Sequence, residues 1–113
     1  MISDDRLCVG LQVVHFPPHV AKRNKTFGEA LKDKDAEFGF IASWDEHVIF
    51  CRFWLKGKPG ELRTVANSEA RDKFELFAHE SVSKTTMIKQ INEMRRDPER
   101  YWWREGARWK EQR

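Results

Sequence analysis

Residues able to do chemistry fall into four groups in this chain, and their spacing decides what each could do. Asp45-Glu46-His47 sets two carboxylates beside an imidazole, a combination suited to acid–base work. In a short turn, however, neighbouring side chains splay apart, so these three read as polar turn residues. No phosphate-binding glycine loop, nucleophile elbow or dinucleotide fingerprint accompanies them. Without a nucleophile, a base and an orienting group in one set, the chain reads as non-enzymatic, with no catalytic residue to name. Cys8, His15, His19, His47, Cys51 and His79 are metal-ligand types. Yet no CxxC occurs, and His15 and His19 flank the Pro17-Pro18 step instead of sharing a helix face. No metal and no cofactor are expected, and both cysteines read as small apolar fillers.

The third group is basic. Arg100, Arg104 and Arg108 recur at i, i+4, i+8, with Arg95 and Arg96 just before them. Like charges at that spacing repel by a few tenths of a kcal/mol per pair in an isolated helix. Trp102 and Trp109 fall on roughly the opposite side. Guanidinium forks match phosphates and indole rings stack on bases, so an arginine ridge backed by aromatics suits a nucleic-acid surface. Lys22, Arg23 and Lys25 are candidate helpers. The plainer alternative is a solvated helix face paired locally with Glu99, Glu105 and Glu111. The fourth group is Phe50, Arg52 and Trp54, which alternate along one strand. If that side faces outward, they and Trp103 form a protein-docking patch, since such residues dominate binding hot spots. If the C-terminal helices lie over it, Met87, Ile91, Trp102 or Trp109 bury it instead.

The elements that must position these groups follow from periodicity. Glu37 to Leu55 alternates with a period of two on either side of Trp44-Asp45-Glu46, which predicts a tight β-hairpin. Arg6 to Phe16 predicts a strand ended by Pro17-Pro18. His19 to Ala36 reads as a long polar loop holding a helical turn or two from Thr26, its N-cap. Glu61–Ala66 and Phe74–His79 predict two short strands, with polar, irregular chain between. Met87, Ile88, Ile91 and Met94 then switch to helical spacing, which predicts a helix over Ser83–Arg96 with Ser83 as its cap. Asp97-Pro98 punctuates, and a second helix is expected over Pro98–Lys110. The class predicted is α+β in a single domain, 1–113. A small five-stranded SH3-like barrel spans 6–80, and a basic extension of two helices spans 81–113.

Gly10, then Val13-Val14-His15-Phe16-Pro17-Pro18-His19, Glu37-Phe38-Gly39-Phe40-Ile41-Ala42-Ser43 and Ile49-Phe50-Cys51-Arg52-Phe53 follow one another in order. Over residues 7–66 this resembles a loose group of uncharacterised small SH3-like proteins encoded by bacteriophages and prophages. His15 stands where that group usually has tyrosine, and Ile41 and Cys51 where it has valine. The resemblance implies a fold and a phage origin, and lends no site residues.

Charge is unevenly divided along the 113 residues. Residues 1–80 carry a net −1 and residues 81–113 a net +4, an asymmetry that speaks of partners. No apolar run could span a bilayer, and the acidic opening MISDDRLCVG has no signal-type apolar region. A cytoplasmic protein of the bacterial host cell, monomer or homodimer, is expected. Two functions remain open. One is a phage accessory protein that binds nucleic acid through Arg95, Arg96, Arg100, Arg104 and Arg108. The other is a protein inhibitor of a host enzyme or defence system, of the anti-CRISPR kind, using Phe50, Arg52, Trp54 or Trp103. A self-associating assembly component, joined through Trp102 and Trp109, is a weaker third.

Overall fold

The structure is a computed structural model and describes residues 2–63, 67–70 and 75–97. It is a mixed α+β fold built on the predicted hairpin. Strand β2 (Glu37–Trp44) pairs antiparallel with β3 (Val48–Leu55). Asp45 closes the turn: its carboxylate accepts from the backbone N–H of His47 at 2.8 Å and of Val48 at 2.9 Å. That is why an acidic residue begins the loop. The register runs Gly39 opposite Phe53, Phe40 opposite Arg52 and Ile41 opposite Cys51, then shifts so that Ser43 faces Phe50. Ala42 is the extra residue, a β-bulge that bends the ribbon.

The remaining strands add to both sides. β1 (Gln12–His15) lies along β2, and β6 (Leu76–Ala78) along β1. On the other side, β3 pairs at its start with β5 (Asn67–Ala70) and at its end with β4 (Lys58–Leu62). The order is β4-β3-β2-β1-β6, with β5 off the path. Among the described residues no ladder joins β4 to β6, so the sheet is open. The closed barrel expected from the strand count is therefore corrected. One physical reason lies in β1: Gly10 adopts φ +92° and Cys8 to Leu11 form a turn. Together they cut the strand expected from Arg6 to four residues, and β6 has only Val13, Val14 and His15 to pair with. The polar Asn67–Ala70 forms β5 because the free edge of β3 offers it a ladder, which outweighs weak strand propensity.

The segment that reads as a loop carries two short helices, α1 (Pro18–Arg23) and α2 (Phe27–Leu31). Pro18 ends the strand and then opens α1, where its missing N–H costs nothing. Thr26 caps α2 as predicted, accepting from the Glu29 N–H at 3.1 Å. Beyond β6, α3 (Lys84–Arg96) follows, capped by Ser83 through the Thr86 N–H at 3.2 Å. No described helix is long and apolar enough to cross a membrane.

Both faces of the sheet are covered. Val13, Ile41, Ile49, Cys51, Phe53 and Leu76 pack with Ile2 and Leu7 of the N-terminal segment. On the other side Phe40, Ala42 and Trp54 meet Ile91 and Met94 of α3, while Val14, Phe16, Val20, Ala30 and Ala36 pack beneath α1 and α2. At Gly39 the backbone of β3 leaves no room for a side chain. A Cβ there would sit 2.0 Å from the Arg52 carbonyl oxygen and 2.7 Å from the Phe53 Cα. Both obstacles are backbone and cannot swing aside. Gly39→Ala is expected to lower stability by about 3 kcal/mol or more, read as a shifted urea midpoint at unchanged slope.

Candidate binding surface

Helix α3 is seated on the sheet by one side chain. Gln12 is buried at the start of β1, and its amide reaches the chain just ahead of α3. Its Nε2 donates to the Val82 carbonyl at 2.8 Å. Its Oε1 accepts from the Ser81 N–H at 2.8 Å, the Val82 N–H at 2.9 Å and the Ser81 hydroxyl at 3.0 Å. Trp54 adds a bond from its indole N–H to the same hydroxyl at 3.1 Å. Two left-handed glycines complete the seat. The Ile91 methyl lies 3.0 Å from where a Cβ on Gly10 (φ +92°) would be. The Thr86 methyl lies 3.2 Å from the same point on Gly60 (φ +88°). Gln90 donates to the Gly60 carbonyl.

This seating fixes which side of α3 meets water. Met87, Ile91 and Met94 turn towards the sheet, and Lys84, Thr85, Ile88, Lys89, Asn92, Arg95 and Arg96 are exposed. Arg95 and Arg96 end the helix, where the negative end of its dipole favours cations. Among the described residues Lys84, Lys89, Arg95 and Arg96 make no ion pair. Arg100, Arg104 and Arg108 of the predicted ridge, the helix expected over Pro98–Lys110, and Trp103 lie outside the described residues.

The proposed protein-docking patch is corrected where it is described. Phe50, Arg52 and Trp54 are 2%, 1% and 7% exposed, and none can meet a partner across the surface. The helical cover weighed as the alternative is present, since Met87, Ile91 and Met94 pack on this side of the sheet. Arg52 is the largest fully buried side chain among the described residues and donates to the Arg63 carbonyl. It serves the interior, a role that an arginine among aromatics in sequence does not announce.

Arg23, one of the candidate helpers, is engaged by the protein's own acids. Its Nε donates to Asp33 at 2.6 Å and its terminal nitrogen to Asp35 at 2.9 Å, with a further close contact to Asp33. His19 Nε2 at 3.0 Å and Lys56 Nζ at 3.2 Å complete a network on Asp35 that ties the α1–α2 segment to the turn after β3. The bonds from His19, Lys56 and Arg23, in that order of effect, hold the Asp35 carboxyl at about 2 against an ordinary 3.8. A second network lies inside. His15 Nδ1 is 2.7 Å from Glu37 Oε1, and the other oxygen of Glu37 takes Arg63 at 2.7 Å. Burial alone would push the Glu37 carboxyl up. The bond from His15 and the pair with Arg63 more than offset that and hold it below its ordinary 4.5.

The metal-ligand types are thereby dispersed. His15 and His19 are held by different carboxylates, His47 sits in the exposed hairpin turn, and His79 lies against the Phe38 ring at 5.5 Å. Cys8 and Cys51 are not joined in a disulfide. Among the described residues no three His, Cys, Asp or Glu side chains come together in a way that could hold a metal ion. No family model matches the chain, and no curated protein and no solved structure matches it either.

Two outcomes follow. Gln12→Ala leaves the polar groups of Ser81 and Val82 without their partner beside a buried face. It should cost about 2–4 kcal/mol, with hydrogen exchange of the α3 amides accelerating more than that of β2 and β3. For acid, a carboxyl held below its ordinary value stabilises the fold above the unfolded value and loses that contribution as pH falls through the folded one. Asp35→Asn should therefore flatten the stability curve between about pH 4 and pH 2 and leave it unchanged near neutrality in slope, as followed by circular dichroism.

Proposed function

We propose that this protein is a non-enzymatic binding protein that associates with nucleic acid through the basic face of α3. The observation that carries the reading is the one-sided cation array on that helix. Lys84, Lys89, Arg95 and Arg96 are exposed and make no ion pair among the described residues, whereas Arg23, Lys56 and Arg63 are each engaged by the protein's own carboxylates. Cations left facing water on one rigid face are what phosphate contact requires. Arg100, Arg104 and Arg108 would extend the array. The order and spacing of the motifs between Gly10 and Phe53 further support kinship with the small SH3-like proteins of phages, and so a phage accessory role in the bacterial cytoplasm.

The test is binding of a labelled DNA duplex by fluorescence anisotropy across about 50–200 mM salt. Affinity should fall steeply, because each neutralised phosphate releases counterions. Replacing Arg95 and Arg96 together by alanine should reduce the slope of log K against log salt by about 2. Binding that is absent, or indifferent to salt, would discard the proposal. The alternative, an inhibitor of a host enzyme or defence system, has its own signature: a host-lysate pull-down that recovers one stoichiometric protein regardless of nuclease treatment.

A further inference from the structure

The arrangement of residues on the exposed face of α3 goes further than a basic surface. At about 100° per residue, Met87, Ile91 and Met94 define the buried side. Within the exposed arc to one side of them, Ile88, Asn92 and Thr85 form a central strip. Lys84 and Arg95 share one flank of that strip, and Lys89 and Arg96 share the other. All seven are exposed, and Ile88 is 43% exposed, one of three large apolar side chains so placed among the described residues. Neither acid of this segment falls within the strip: Glu93 borders the Lys89–Arg96 flank, four residues after Lys89, and Asp97 is the C-cap residue beyond the last turn. Cations on both flanks, with small hydrogen-bonding and apolar groups between them, are what a helix needs to lie in a groove walled by two phosphate strands.

We infer that α3 is a groove-reading helix for B-form DNA. Lys84 and Arg95 contact the phosphates of one strand, Lys89 and Arg96 those of the other, and Thr85, Ile88 and Asn92 face the base edges between them. The inference rests on the nucleic-acid reading above and adds the ligand form and the residues that select sequence. The major groove of B-DNA, about 12 Å wide, admits an α-helix, and the 13 residues of α3 extend about 20 Å. Asparagine matches the paired acceptor and donor of adenine, and an aliphatic side chain matches the thymine methyl, so an A·T-containing site is expected. The major groove of duplex RNA is too deep and narrow for a helix, so RNA of the same sequence is a poor ligand.

The experiment is selection from a random DNA duplex library with the full chain, followed by affinities for the enriched site, a scrambled duplex and the matching RNA duplex. The expected result is an enriched site containing A·T pairs, preferred over the scrambled duplex and over the RNA. Asn92→Ala, an exposed change that favours helix, should then reduce that preference by roughly 5- to 150-fold while binding to the scrambled duplex persists. Lys89→Ala should weaken both duplexes alike. Binding without enrichment, equal affinity for RNA, or a preference untouched by Asn92→Ala and Thr85→Ala would overturn the groove inference and leave phosphate binding standing. No binding to any duplex would overturn both.

Discussion

The amide of Gln12 is the constraint on which the arrangement of this molecule depends. A buried side-chain amide must satisfy its oxygen and nitrogen locally or lose stability, and here both are satisfied by the short stretch Ser81–Val82. That stretch follows β6, whose chain is also bound to β1 through the His79 N–H and the Gln12 carbonyl at 2.9 Å. Backbone and side chain of one residue therefore hold the approach to α3 along its length. The helix leaves this clamp with its start fixed by the Ser83 cap, and the apolar stripe Met87–Ile91–Met94 then falls over Phe40 and Trp54. The positive-φ glycines at 10 and 60 allow the helix to lie close. A side chain at either would be strained in backbone and would press on Ile91 or Thr86.

The protein's charges divide by whether the fold uses them. Asp35 gathers three side-chain partners, His19, Arg23 and Lys56, from α1 and the turn after β3, and Glu37 gathers His15 and Arg63 across two strands and the chain after β4. Arg52 is buried and bound to the Arg63 carbonyl. These groups hold loops to strands, and their charge is largely cancelled where it is exposed. α3 differs: its cations stand on the side away from the sheet, and its last turn carries two of them. The net positive charge of residues 81–113 is thus, in its described part, displayed outward and not consumed by internal pairing.

The hairpin was legible because two independent signals agreed: a period of two on both arms, and the short acidic join Trp44-Asp45-Glu46 between them. α3 was legible for the same reason, with Met87, Ile91 and Met94 at helical spacing behind a serine cap. Where the signal failed, a tertiary effect decided. The Ala42 bulge shifts the alternation of β2 without leaving a sequence mark. Asn67–Ala70 becomes a strand because β3 offers an edge. α1 has a single buried apolar residue, Val20, too little for a period to show, although Pro18 at its first position was a usable cue. The burial of Phe50, Arg52 and Trp54 could be weighed but not decided from sequence, since the same alternation fits an exposed patch and a face under a helix.

Gln12 was invisible for a related reason. A glutamine in a strand is ordinarily a solvent-facing residue, and its partners lie about seventy positions along the chain, a separation over which no local pattern speaks. Its consequence for function is nonetheless direct. The outward face of α3 is legible as a helical wheel only once the inward face is known, and the inward face is set by the clamp and by the two glycines together. Rotation of α3 by one residue would carry Ile88 towards Phe40 and Trp54 and turn Met87 and Met94 away from the sheet, losing apolar burial of order 1–2 kcal/mol. It would also move Lys84 and Arg95 off their flank of the exposed strip. The packing that stabilises this helix and the pattern it presents to water are therefore the same geometric fact seen from two sides.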